Sequence, residues 1–114
     1  MPRKNNPRKL NKLQLKTLTL LQEFAKSDMA LPGKNEGEMF LTQIPQPHQD
    51  HFHVGKGVIF TKDATGLSNP NVWSALERKG FIRSGEFPFS ITITPNGLSY
   101  DTGIREKIIH GSGH

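Results

Sequence analysis

Residues 67–100 read LSNPNVWSALERKGFIRSGEFPFSITITPNGLSY, and this stretch decides the fold. Asn69 is a helix N-cap, because its side-chain oxygen can accept from backbone N–H groups that lack an intrahelical partner. Pro70 follows at the first helical position, where a missing N–H costs nothing. A helix is expected over residues 72–79, stopped by Gly80, which tolerates the left-handed conformation of a C′ residue. Residues 81–84 (FIRS) and 89–94 (FSITIT) are rich in β-branched and aromatic side chains and flank Gly85-Glu86-Phe87-Pro88, so they read as a hairpin. Pro95-Asn96-Gly97 is a turn. On the helix, Val72, Trp73 and Leu76 form an apolar stripe for a core. Asn71, Ser74 and Arg78, spaced by three and four, share a different, polar face.

This order of elements resembles the recognition helix and wing of winged helix-turn-helix proteins, in particular bacterial regulators of the MarR and PadR type. Their pattern is Leu-Glu-x-x-Gly-Phe/Leu-Ile/Val followed by Leu/Ile-Thr-x-x-Gly. Here it stands as Leu76-Glu77-Arg78-Lys79-Gly80-Phe81-Ile82 and Ile93-Thr94-Pro95-Asn96-Gly97, and the match covers about a third of the chain. The resemblance implies an α+β, winged-helix-like single domain; residues 36–57 depart from the family pattern and read as an extra β-hairpin inserted before the recognition helix. It also implies a transcriptional regulator whose partner is double-stranded DNA, with a homodimer on paired half-sites as the usual assembly. Asn71 and Arg78 carry the side chains that make bidentate contacts with adenine and guanine edges, and Ser74 suits phosphate. Asn69 and Lys79 at the helix ends and Arg83 on the wing complete the expected contact set.

Outward toward the N-terminus, residues 61–68 read as a turn or one short helix, with residues 58–60 (VIF) a strand or a helix start. Residues 38–44 (EMFLTQI) and 50–54 (DHFHV) read as two strands of one hairpin, and residues 31–37 as a loop. Residues 11–26 read as a helix. Asn11 and Gln14 form a capping box, Leu10 and Leu15 a hydrophobic staple, and Leu13, Leu20, Leu21 and Phe24 a core face. Toward the C-terminus, residues 98–109 read as a short helix interrupted near Gly103. The expected division is a flexible basic arm over residues 1–10, the domain over 11–109 and a disordered tail over 110–114.

Charge is concentrated in the arm and the start of the first helix. Six of the fifteen basic residues precede the first acidic one, Glu23, which leaves nine basic against ten acidic residues in the rest of the chain. Arg3, Lys4, Arg8 and Lys9 are therefore expected to track phosphates, because each neutralised phosphate releases counterions. The competing reading of the arm is a solvated tail. The nearly neutral body favours a rival function, a winged-helix protein-interaction adaptor that docks through Met39, Phe40, Phe52 and Val54.

Composition excludes other classes. The chain has 114 residues, eleven Gly, eight Pro and no cysteine, which argues for one turn-rich domain without disulfides, thiolate zinc sites or a Cys nucleophile. No apolar run reaches the ~18 residues a membrane span needs, and no signal sequence is legible, so a cytoplasmic location without membrane partners is expected. No phosphate-cradling glycine loop or Gly-x-Ser-x-Gly is present, and neither an enzyme nor a cofactor is expected. His51 and His53, two apart on a strand and near His48 and Asp50, are the candidate metal ligands. An exposed polar strand face explains them better.

Overall fold

The computed structural model describes residues 8–44, 51–54 and 57–111, which form a small α+β domain. Helix α1 (Lys12–Ala25) starts as its sequence dictates. The Asn11 side chain accepts from the Gln14 amide at 2.8 Å, and the Gln14 side chain accepts from the Asn11 amide at 3.0 Å. Leu10 is buried just before the cap, and Leu15 packs at the edge of the same core. The buried surface of α1 is broader than one leucine stripe, since Leu18 and Thr19 are buried along with Leu20, Leu21 and Phe24. Elements therefore pack on more than one side of α1, and its buried hydroxyls need partners. Thr17 Oγ1 donates to the Leu13 carbonyl, and Thr19 Oγ1 shares a hydrogen bond of 2.6 Å with Thr102 Oγ1.

A four-stranded antiparallel sheet lies against α1. Its strands are β1 (Ala30–Pro32), β2 (Met39–Leu41), β5 (Ile82–Ser84) and β6 (Ile91–Ile93), in the order β1-β2-β6-β5. Ile82, Ile91, Ile93 and Leu41 point into the core and are essentially inaccessible. The loop expected over residues 31–37 thus starts as an edge strand, with Pro32 at the margin where a missing ladder donor is tolerated. A second, three-stranded sheet joins β3 (His51–Val54), β4 (Gly57–Phe60) and β7 (Ile109–Gly111) in the order β3-β4-β7. This corrects three expectations. Residues 38–44 and 50–54 do not pair, because β2 bonds to β1 and β6 while β3 bonds to β4. The inserted hairpin is β3–β4. Residues 110 and 111 are strand rather than tail, since backbone pairing with Val58 and Gly57 satisfies them.

Two short 3-10 helices, Thr61–Asp63 and Thr65–Ser68, lead into α2 (Pro70–Arg78). The Asn69 side chain accepts from the Asn71 amide at 2.9 Å, and Gly80 takes φ +84° beyond the helix end. Val72, Trp73, Ala75 and Leu76 are buried, and Trp73 Nε1 donates to the Leu67 carbonyl at 3.0 Å. Burying each large apolar side chain supplies roughly 1.5–3 kcal/mol. After β6, Thr94 closes the unit. Its hydroxyl donates to the Gly80 carbonyl at 2.7 Å and accepts from the Gly97 amide at 3.1 Å, which caps α3 (Pro95–Ser99). Gly97 sits directly on the Phe81 carbonyl, with no room for a Cβ. Gly103, with φ +72°, then separates α3 from α4 (Arg105–Ile108), so the interruption expected near Gly103 is present, and the segment ends in a strand at residue 109.

Among the described residues, no helix is long and apolar enough to cross a membrane.

Candidate nucleic-acid interface

The outer face of α2 carries Asn71, Ser74, Glu77 and Arg78, all exposed. The buried stripe of Val72, Trp73 and Leu76 fixes this orientation, because the helix turns its other side outward once the apolar side is seated. Arg78 makes no ion pair among the described residues. Glu77 is turned toward the hairpin, where it accepts from Ser84 Oγ at 2.9 Å. Asn69 stands at the start of the helix with its side-chain oxygen committed to the cap.

Of the remaining basic residues of the expected set, Arg83, Lys79 and Arg8 have partners inside the fold. Arg83 lies on β5 and forms a two-pronged pair with Glu38. Its Nη2 donates to Oε1 at 2.6 Å and its Nε donates to Oε2 at 3.3 Å. Hydrogen bonding from Arg83 holds the Glu38 carboxyl below the ordinary glutamate value, and Glu38 in turn raises the guanidinium of Arg83. Lys79 Nζ donates to the Arg8 carbonyl at 3.0 Å. The Arg8 amide donates to Tyr100 Oη at 3.2 Å, and its guanidinium lies 5.6 Å from the centre of the Phe81 ring, a cation–π arrangement. Residues 8–10 are therefore docked against the body and do not belong to a free arm, because buried Leu10 and these contacts outweigh the cost of ordering them. Lys9 is exposed. Arg3 and Lys4 lie outside the described residues.

The β5–β6 hairpin folds against α2. Phe87 at its tip meets Trp73 edge-on, with ring centres 4.8 Å apart. Phe87 stays 40% exposed and Phe89 60%, so the hairpin presents two aromatic side chains to solvent.

The structure thus brings Asn71, Ser74 and Arg78 onto one face, gathers Lys79 and Arg8 behind its C-terminal end, and engages Arg83 with Glu38. Pairing across 45 residues leaves no local trace, so the role of Arg83 could not be read from its neighbours. The docking face expected from Met39, Phe40, Phe52 and Val54 is divided, with the first two in β2 and the last two in β3 of the other sheet. His51 and His53 lie on β3 with ring centres 5.5 Å apart. Among the described residues no group of three His, Cys, Asp or Glu could hold a metal ion, and His48 and Asp50 lie outside them.

Comparison with known proteins returned no matching family model, no similar curated protein and no similar solved structure.

Proposed function

We propose that this chain is a DNA-binding protein of the winged-helix type, acting as a transcriptional regulator. The observation that carries the reading is the outer face of α2, where Asn71, Ser74 and Arg78 project together from a helix seated by Trp73 and Leu76. The surroundings support it. A first helix, α1, and a short helical segment at residues 61–68 precede α2, and a two-stranded hairpin follows it. That hairpin is tied to the body through β2, so it can act as a wing of fixed position. Asn71, in the first turn of α2, reads adenine, Arg78 reads guanine and Ser74 holds phosphate. Arg83 serves by fixing the wing strand to Glu38 and not by direct contact.

The exposed Phe87 and Phe89 favour a second reading, an adaptor that docks a protein at the hairpin tip. Selection of duplexes from a random pool, followed by titration of the Asn71→Ala/Arg78→Ala variant, separates the two. The DNA reading predicts an enriched site and at least a tenfold loss of affinity in the variant, about 1.4 kcal/mol or more. No enrichment, or an unchanged affinity, would transfer the function to the hairpin tip.

A further inference from the structure

Four lysines from three separate segments converge on one open cleft of about 350 Å³. Lys12 and Lys16 stand one turn apart on α1, Lys62 comes from the 3-10 turn and Lys107 from α4. The cleft has one carboxylate, Asp63, which is buried and already paired with Lys16 at 2.8 Å. Lys12, Lys62 and Lys107 make no ion pair among the described residues. Like charges held close together repel, and the repulsion is strongest where apolar walls displace water. Ile104 and Ile108 line the cleft beside the lysines. An anion seated there would offset the repulsion.

One wall of the cleft is aromatic. Phe60, at the end of β4, is 41% exposed, and its ring centre lies 5.0 Å from that of His110 at a tilt of 48°. An exposed aromatic face beside cations is the combination that holds a planar base next to its phosphates. The volume lies near the lower end of the roughly 300–1,000 Å³ typical of small-molecule sites. It suits one ring and a short phosphate chain, not a polymer. No residue of α2, β5 or β6 lines it, so it is separate from the face assigned to DNA.

We propose that this cleft binds a nucleoside diphosphate, with the base stacked on Phe60 and the phosphates among Lys12, Lys62 and Lys107. The lysines act as point charges on mobile stems, which neutralise phosphate without a glycine loop. Lys16 is held by Asp63 and sets the rim.

Calorimetric titration of the full chain with ADP, GDP, CDP and UDP tests this, with pyrophosphate, adenosine and a ten-residue oligothymidine as controls. The expected result is one nucleotide per chain, bound at least tenfold tighter than pyrophosphate, adenosine or the oligonucleotide. Lys62→Ala/Lys107→Ala should weaken the nucleotide roughly tenfold or more. Phe60→Ala should weaken it roughly tenfold while leaving pyrophosphate unchanged. All three side chains are exposed, so these variants should keep the melting temperature of the parent. The Asn71→Ala/Arg78→Ala variant should bind nucleotide as the parent does. Absence of binding by all four nucleotides at millimolar concentration would overturn the proposal. So would affinity that survives loss of Phe60 or of the two lysines, or a preference for the oligonucleotide.

Discussion

The face built on α2 and the cleft beside the start of α1 both collect basic side chains, but they use them differently. Around α2 most of the positive charge is spent inside the molecule. Arg83 is held by Glu38, Lys79 by the Arg8 carbonyl, and Arg8 lies over Phe81, so that among these Arg78 alone faces outward without such a contact. In the cleft, three of four lysines are left without an ion partner among the described residues. Positive charge counted along a sequence is therefore not positive charge offered to a ligand. If the α2 face binds DNA as proposed, it has to discriminate by hydrogen-bond geometry and should depend only modestly on salt. Nucleotide binding in the cleft, as proposed, should depend on salt steeply, because three lysines would meet the phosphates.

The largest expected effect comes from unseating α2. Leu76 is fully buried beneath it, and Leu76→Ala should cost about 2–5 kcal/mol in chemical unfolding. Loss of DNA binding in that variant at temperatures where it remains folded would show that orientation of α2, and not its exposed residues alone, carries the function. Gly97→Ala comes next. Its new methyl would collide with the Phe81 carbonyl, a backbone atom that cannot swing away, and about 1–3 kcal/mol of stability should be lost. An unchanged melting temperature would show that the α3 junction is looser than the packing here requires.

Arg83→Ala sharpens the contrast between the two uses of charge. It should lower the melting temperature while changing affinity for duplex DNA less than twofold. A large loss of affinity at unchanged stability would return Arg83 to the contact surface. The same pair sets a pH dependence. The native Glu38 carboxyl sits below its ordinary value, so the pair contributes stability above the ordinary glutamate range and loses it as pH falls through the lowered native value. Glu23 acts in the same sense. Partial burial pushes its carboxyl up, but hydrogen bonds from Arg105 and Lys26 outweigh this and leave it lowered. Acid titration of the melting temperature should therefore show a shallower decline in Arg83→Ala than in the parent, and identical profiles would remove Glu38 as a contributor.

The parts of the fold legible in the sequence were those written locally. Asn11 with Gln14, Asn69 with Pro70, and Gly80 each fix a helix end through their immediate neighbours, and these ends fall where the residues place them. The β5–β6 hairpin was legible for the same reason. What escaped was set by distant partners. Residues 38–44 and 50–54 look like a hairpin because they are adjacent, yet β2 finds more apolar surface beside β6, where Leu41 and Ile91 are both buried. Strand β7 was hidden because three short residues carry no period, and its partner β4 lies some fifty positions earlier. The face of Asn71, Ser74 and Arg78 followed from helical spacing, whereas the lysine cleft is assembled from three segments and has no linear motif.

Docking of Arg8 and Leu10 on the body also defines the most direct test of the α2 assignment, since a truncation has to stop before Arg8 to keep those contacts. Fluorescence anisotropy with random duplex DNA should be compared for the full chain, for a form lacking residues 1–7, and for that form carrying Asn71→Ala/Arg78→Ala. The shortened form should still bind duplex with a modest salt slope, and the two substitutions should abolish this residual binding. Loss of all binding with residues 1–7, or residual binding indifferent to the substitutions, would contradict it.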